Sequence, residues 1–230
     1  MKETTAMEYI NKIVDLSMPI TSLKTPVFPG YPQPLRSTLY DIEKDGYYSC
    51  VWSFVEHTGT HMDAPAHFVK KGKTVEHVPP SSVVCRGIVL DFRNSKPRYT
   101  ITEHDIKERM EKQSIKLKEA RGRILLILTG YSKYAGKKKW FEHPEIGTEA
   151  CKLIIGAGFA SLGIDAPSPD RLPFNAHKML LQRGIVIFEN LVNLEKLVGK
   201  DFLFVGAPLS LCDGSASPVR ALALLTSSHS

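Results

Sequence analysis

Short apolar runs rich in branched and aromatic side chains, each closed by glycine, proline or charge, recur along the chain. They predict strands at 48–55, 87–92, 124–128, 159–164, 185–188, 202–205 and 219–225. Between them the apolar spacing lengthens to three and four residues, which predicts helices at 103–118, 143–155 and 175–182. Strands interleaved with helices specify a layered domain of the α/β class rather than a bundle or a sandwich. Pro26, Pro29, Pro32 and Pro34 make an early extended arm that cannot be helical. Gly156-Ala157-Gly158 imitates a dinucleotide fingerprint, but Gly163, Pro167 and Pro169 break the helix that would have to follow, so it reads as a helix-to-strand turn. No repeat, low-complexity tract or compositional break divides the 230 residues, and we expect one domain over 1–230.

Composition narrows the class. Hydrophobic residues make up 43% of the chain, enough for one sizeable core. No window approaches the roughly 18 consecutive apolar residues of a membrane span, and charges interrupt the apolar residues near the N-terminus, so a cytoplasmic protein with no membrane partner is expected. Cys50, Cys85, Cys151 and Cys212 lie far apart without a C-x-x-C pair and read as reduced, mostly buried thiols. The net charge is +6, and its excess is local. Over 103–123, seven Lys or Arg alternate with five Asp or Glu, the pattern of a solvated helix whose apolar side carries Ile106, Met110 and Leu117. Lys137-Lys138-Lys139 reads as a basic loop tip. A basic face interleaved with stacking aromatics is missing, so no nucleic acid is expected as a partner, whereas attraction of an anionic substrate stays open.

Familiar catalytic signatures fail on inspection. H-E-x-x-H needs a Glu where Thr58 stands, and Gly130-Tyr131-Ser132-Lys133-Tyr134 lacks the second glycine of a nucleophile elbow. The zinc-deaminase and phosphate-loop patterns are absent as well. The histidines stand out instead. Eight spread evenly would put roughly 0.4 in any eleven-residue window, yet His57, His61 and His67 share one, together with Asp63. Three imidazoles and a carboxylate suit Zn²⁺ or Mn²⁺. Thr58, Thr60, Gly59 and Pro65 argue for a strand end turning into a loop, where His61 and Asp63, two apart, point the same way and Gly59 lets His57 join them. Any one of these histidines alone would read as an ordinary polar residue at a strand edge.

The stretch from His57 to Phe68, H-T-G-T-H-M-D-A-P-A-H-F, resembles at every fixed position the pattern H-x-G-T-H-x-D-x-P-x-H-F of the cyclase family, metal-dependent hydrolases that include bacterial kynurenine formamidase and isatin hydrolase. The similarity extends to Asp15-Leu16-Ser17, Thr25 through Gly30, Asp165 through Pro169 with Asn175-Ala176-His177, Gly184 through Leu191, and Ser217-Pro218-Val219-Arg220. The resemblance implies a three-layer β/β/α swivelling-domain fold and one or two metal ions, Zn²⁺ or alternatively Mn²⁺. It implies His57 and His61 as ligands of one ion, Asp63 bridging to a second, His177 on that second ion and Glu189 bridging both. His67 would donate and accept the proton, and Phe28 would bind substrate where the kynurenine enzyme has Trp. It also implies a homo-oligomer, dimer or tetramer, with the proline-rich arm reaching a neighbour.

The expected activity is hydrolysis of a C–N amide bond in a small-molecule substrate by metal-activated water, which agrees with the missing serine elbow. An aryl formamide such as N-formylkynurenine leads. A lactam such as isatin, or another cyclic amide or ester, is the rival, and a non-catalytic metal-binding module is the reading from another class. The role of Arg220 is left open.

Overall fold

The apolar runs become strands because both of their faces find cover. In the computed structural model, which describes residues 10–226, the elements follow in the order β1 (Ile10–Asp15), β2 (Leu35–Tyr40), α1 (Ile42–Asp45), β3 (Ser49–Ser53), β4 (His61–Asp63), β5 (Val84–Asp91), β6 (Thr100–Ile101), α2 (Glu103–Lys112), β7 (Ile124–Leu128), β8 (Glu145–Ile146), α3 (Thr148–Ala157), β9 (Ser161–Ile164), α4 (Asn175–Gln182), β10 (Val186–Glu189), β11 (Phe202–Val205), β12 (Ala216–Pro218) and β13 (Leu222–Thr226). Nine of these strands make one mixed sheet, ordered β1-β13-β11-β5-β7-β9-β10-β4-β12. Its centre, β5-β7-β9-β10, is parallel. Antiparallel wings extend it, β4 and β12 at one end and β11, β13 and β1 at the other.

Side-chain alternation decides what each face meets. Ile88 and Leu90 of β5, Leu125 and Ile127 of β7, and Leu162 of β9 pack with Ile106 and Met110 of α2, Ile154 of α3 and Leu180 of α4. The opposite faces, with Val89, Leu126 and Phe188, meet Phe202 and Phe204 of β11 and Ala223 of β13 as the sheet curls over itself. The result is the three-layer β/β/α arrangement that the sequence resemblance implies. Glycine permits the curl at one close approach: a Cβ on Gly87 would lie 2.1 Å from the ring of Phe202.

The core strands and the 175–182 helix fall where the pattern puts them, and the other two helices differ. The helix expected over 103–118 stops at Lys112, because Ser114 adopts a left-handed φ of 57° and Ile115 N–H turns back to the Met110 carbonyl. The helix expected from 143 starts at Thr148, since Glu145–Ile146 pairs in parallel with Thr100–Ile101 before the chain can coil. Of the four cysteines, all free, Cys85 and Cys151 are buried, while Cys50 is half-buried and Cys212 exposed. Arg220, left without a role by the sequence, closes the fold. It forms a bidentate ion pair with Asp15, and Ser17 exchanges hydrogen bonds with the Ala221 backbone, so the two sequence signatures at the ends of the chain clasp each other.

Two stability predictions follow from this packing. Gly87→Ala should cost about 1–3 kcal/mol by forcing the buried Phe202 ring to move, and urea unfolding of the variant checks it. His143 is buried and donates from Nδ1 to the Pro144 carbonyl; burial pushes its pKa from 6.5 down to about 4, and that bond offsets the shift only in part. The unfolded chain therefore takes up a proton below pH 6.5 that the native state refuses, so stability falls as pH drops. Between pH 7 and 5 this loss should be on the order of 2 kcal/mol and should vanish in His143→Gln, as compared by urea midpoints at the two pH values.

Candidate metal centre

The antiparallel register of β4 against β10 sets His61 directly opposite Glu189 and Asp63 opposite Ile187, so residues more than a hundred positions apart meet. His61 and Asp63, alternate residues of β4, point to the same side, as their spacing requires, with His61 Nε2 at 3.3 Å from both Asp63 Oδ1 and Glu189 Oε2. Gly59, with φ of 65°, bends the preceding backbone so that His57 Nδ1 reaches Asp63 Oδ1 at 2.8 Å. Helix α4 brings in His177, whose Nε2 lies 3.2 Å from Glu189 Oε1 and 3.6 Å from Asp63 Oδ2. The 3₁₀ turn Pro65–His67 then swings His67 over His57, with ring centroids 4.1 Å apart. All six chemistry-bearing residues read from the sequence are thus gathered in one place, and His57, Asp63 and His67 offer ligand atoms within 4.8 Å of one another, as do His61, Asp63 and Glu189.

Hydrogen bonds on the far side of the rings fix which nitrogen faces inward. His61 Nδ1 donates to the Gly59 carbonyl at 2.9 Å, leaving Nε2 as a lone pair when the ring is neutral. His177 Nδ1 bonds Asp170 Oδ1 at 2.6 Å, while Asp170 Oδ2 accepts the backbone N–H groups of Ala176 and His177 and holds the start of α4. Glu56 accepts from the Ser215 hydroxyl and from the backbone of Ser215 and Ala216, and Ser215 Oγ lies 3.4 Å from His57 Nε2. Asp170, Glu56 and Ser215 carried no role in the sequence; their only signal was proximity in the chain to His177, His57 and Ser217.

Inside the cluster, His61 Nε2 and both oxygens of Asp63 are buried without an aligned hydrogen bond, His57 Nδ1 meeting Asp63 Oδ1 as a close contact only. Such orphaned, convergent donors fit a divalent cation, which is the test the donor set has to pass. Charge balance agrees. Burial opposes charge on His61 and His177 alike, yet Asp63 and Glu189 outweigh it at His61 and push it up to about 10, while Asp170 first, then Asp63 and Glu189, hold His177 well above 6.5. Those imidazoles in turn hold Asp63 well below the usual carboxylate range, and Glu189 below it too, against burial and mutual repulsion. Protons thus stand where a cation would otherwise balance the two carboxylates. His67 behaves oppositely. Burial, with His57 and His177 adding to it, lowers its pKa to about 4, below the near-neutral value the sequence suggested.

The cluster opens into a cavity of about 300 Å³ walled by Phe28 and Tyr31 of the proline-rich arm, Phe68, Trp140 and Phe174. Phe28 packs edge-on against Phe141, and Tyr31 stacks on His57. Tyr31, Trp140 and Phe174 were not read as site residues, since an aromatic at a loop position carries no signal until the fold brings it to the cavity.

A curled β/β/α domain whose buried histidine–carboxylate cluster opens into an apolar pocket has the donor set of a metal site. The family described as "Putative cyclase" matches residues 14–171, and the chain belongs to this Cyclase family. An uncharacterized Methanocaldococcus jannaschii protein is 34% identical over 200 residues, 85% of this chain and 94% of its own. The kynurenine formamidase of Bacillus thuringiensis is 32% identical over 171 residues, 72% of this chain and 75% of its own. Among solved structures, an isatin hydrolase bound to thioisatinate superposes with a TM-score of 0.85 at 21% identity, covering 94% of this chain and 93% of that one, a likeness of fold. A potential metal-dependent hydrolase with cyclase activity matches with a TM-score of 0.77 at 28% identity, over 95% and 99%. No helix among the described residues is long and apolar enough to cross a membrane.

Asp63→Asn should abolish metal retention after loading and gel filtration. Asp170→Asn, which leaves every donor in place but removes the carboxylate charge beside His177, should weaken metal affinity about 10- to 100-fold in competition with a chelating dye.

Proposed function

We propose that this protein is a metal-dependent amidohydrolase that cleaves the C–N bond of an aryl formamide such as N-formylkynurenine to formate and the free arylamine. The observation that carries the reading is the set of orphaned donors, His61 Nε2 and the two Asp63 oxygens, next to an aromatic-walled cavity of about 300 Å³ that His61 and Glu189 line. His57, His61, Asp63, His177 and Glu189 would hold one or two ions, Zn²⁺ or Mn²⁺. A bound divalent ion lowers the pKa of water toward 7 and polarises a carbonyl oxygen.

The remaining work belongs to the side chains. His67, neutral at pH 7, accepts the proton that water loses on attacking the formyl carbon. The imidazolium so formed, buried beside His57 and His177, is a stronger acid than an ordinary imidazolium and passes that proton to the departing nitrogen. Phe28, Phe68, Trp140 and Phe174 sandwich the aryl ring and exclude bulk water. The similarity to kynurenine formamidases supports the formamide over the lactam.

The same reading makes the protein a homo-oligomer. It is supported by the hairpin β2–β3, whose Leu35, Leu39, Tyr47, Tyr48, Val51 and Trp52 are all exposed, because a two-stranded hairpin this apolar is not stable uncovered.

His67→Ala should keep near-normal metal content while turnover falls about 10²- to 10⁴-fold; loss of metal instead would make His67 a ligand, as its proximity to His57 and Asp63 allows. A panel of N-formylkynurenine, formanilide and isatin, assayed after chelation and restoration of Zn²⁺ or Mn²⁺, tests the substrate. Hydrolysis of isatin alone would replace the formamide by a lactam, and no hydrolysis with metal bound would make the chain a non-catalytic binder.

A further inference from the structure

Between the chain segments that follow His67 and His177 lies a second cleft of about 530 Å³. One wall is the loop that follows His67, with Val69, Lys71, Gly72 and Lys73; the other is the turn from α4 to β10, with Leu181, Gln182, Arg183 and Gly184. The floor is apolar, formed by Pro65, Val78, Pro79 and Val186. Three cations thus stand around one greasy hollow, and no carboxylate lines it among the described residues. This differs from the other clefts near chain turns: the one between α2 and α3 contains Glu103 and Glu149, and the one beside Gly130 contains Asp165 and Glu195.

The cationic wall is also held in place. Lys71 sits at a left-handed φ of 61°, a conformation that costs a side chain about 1 kcal/mol or more and persists only where the surroundings impose it. They do so through a closed turn. Gly72 N–H bonds the Val69 carbonyl, Ala66 N–H bonds the Lys73 carbonyl, and Gly72 lies so close to the Pro65–Ala66 peptide that a Cβ there would fall 2.7 Å from the Pro65 carbonyl carbon. Three cations lining one hollow with no carboxylate beside them favour the entry of an anion. The apolar floor adds a requirement that a simple inorganic ion does not meet.

We infer that this cleft is a second binding site, for a small organic anion that carries two or more negative charges on an apolar body, held by Lys71, Lys73 and Arg183. It is separate from the aromatic cavity and independent of which amide is cleaved there.

Titration calorimetry on the full metal-loaded chain tests it, with benzene-1,3,5-tricarboxylate as the charged apolar probe, pyrophosphate as a charge-only probe and benzamide as a neutral one. The tricarboxylate should bind at one per chain, pyrophosphate at least about tenfold more weakly, and benzamide at this site not at all. Replacing Lys71, Lys73 and Arg183 together with Gln, all at the surface and outside the metal cluster, should weaken the tricarboxylate about 100-fold or more while metal content and melting temperature stay put. Arg183→Gln alone should give an intermediate loss. Tricarboxylate binding that survives the triple substitution, or no binding by the wild type, overturns the site; pyrophosphate binding as tightly as the tricarboxylate overturns the role of the apolar floor.

Discussion

Everything in this molecule turns on holding two carboxylates, Asp63 and Glu189, side by side out of water. Each is buried, and their repulsion adds to a desolvation penalty of several kcal/mol per ion. Such a pair survives only with positive charge between its oxygens. In the chain by itself, His61 and His177 provide it by keeping protons that free imidazoles would lose at neutral pH. A divalent cation provides it more completely and satisfies Asp63 oxygens that lack an aligned hydrogen bond. The fold therefore carries a built-in demand for a cation at the junction of β4 and β10, and the surrounding structure answers to that demand.

The supports are specific. Thr60 Oγ1 donates to the Asn190 carbonyl at 2.6 Å, and Asn190 Nδ2 donates to the Gly59 carbonyl at 2.9 Å, so the strand entering the cluster is latched to the strand leaving it. The same Gly59 carbonyl accepts from His61 Nδ1, which ties the latch to the ring orientation. Asp170 does the equivalent for His177 and also anchors the first turn of α4. Orientation of the inner nitrogens is thus built from backbone geometry, which explains why a short polar strand can sit inside a sheet otherwise made of valine, leucine and isoleucine.

The strands at 124–128 and 202–205 and the helix at 175–182 were legible because burial on both faces, or on one stripe, writes itself into a periodic pattern. Strand β4 was legible as chemistry instead: its three residues are His61, Met62 and Asp63, and the spacing of two already implied that the polar pair shares a face. Strands β1, β2 and β12 went unread because edge position or exposure removes the alternation that marks a strand. The end of α2 was misjudged because the break at Ser114 is a backbone event that no side-chain pattern announces. Asp170, Glu56 and the aromatics Tyr31, Trp140 and Phe174 went unassigned for a different reason: their roles come from contacts across the fold, and a carboxylate beside a proline or a Trp after three lysines looks the same in sequence whether it faces a site or solvent.

The most direct measurement is a crystal structure of the Zn²⁺- or Mn²⁺-soaked protein with anomalous data collected at the metal edge. An anomalous peak is expected between Asp63 and Glu189, with His61 Nε2 at about 2.0–2.1 Å from it and the His67 ring outside ligand distance. A peak away from those two carboxylates, or none with the metal present at saturating concentration, would contradict it.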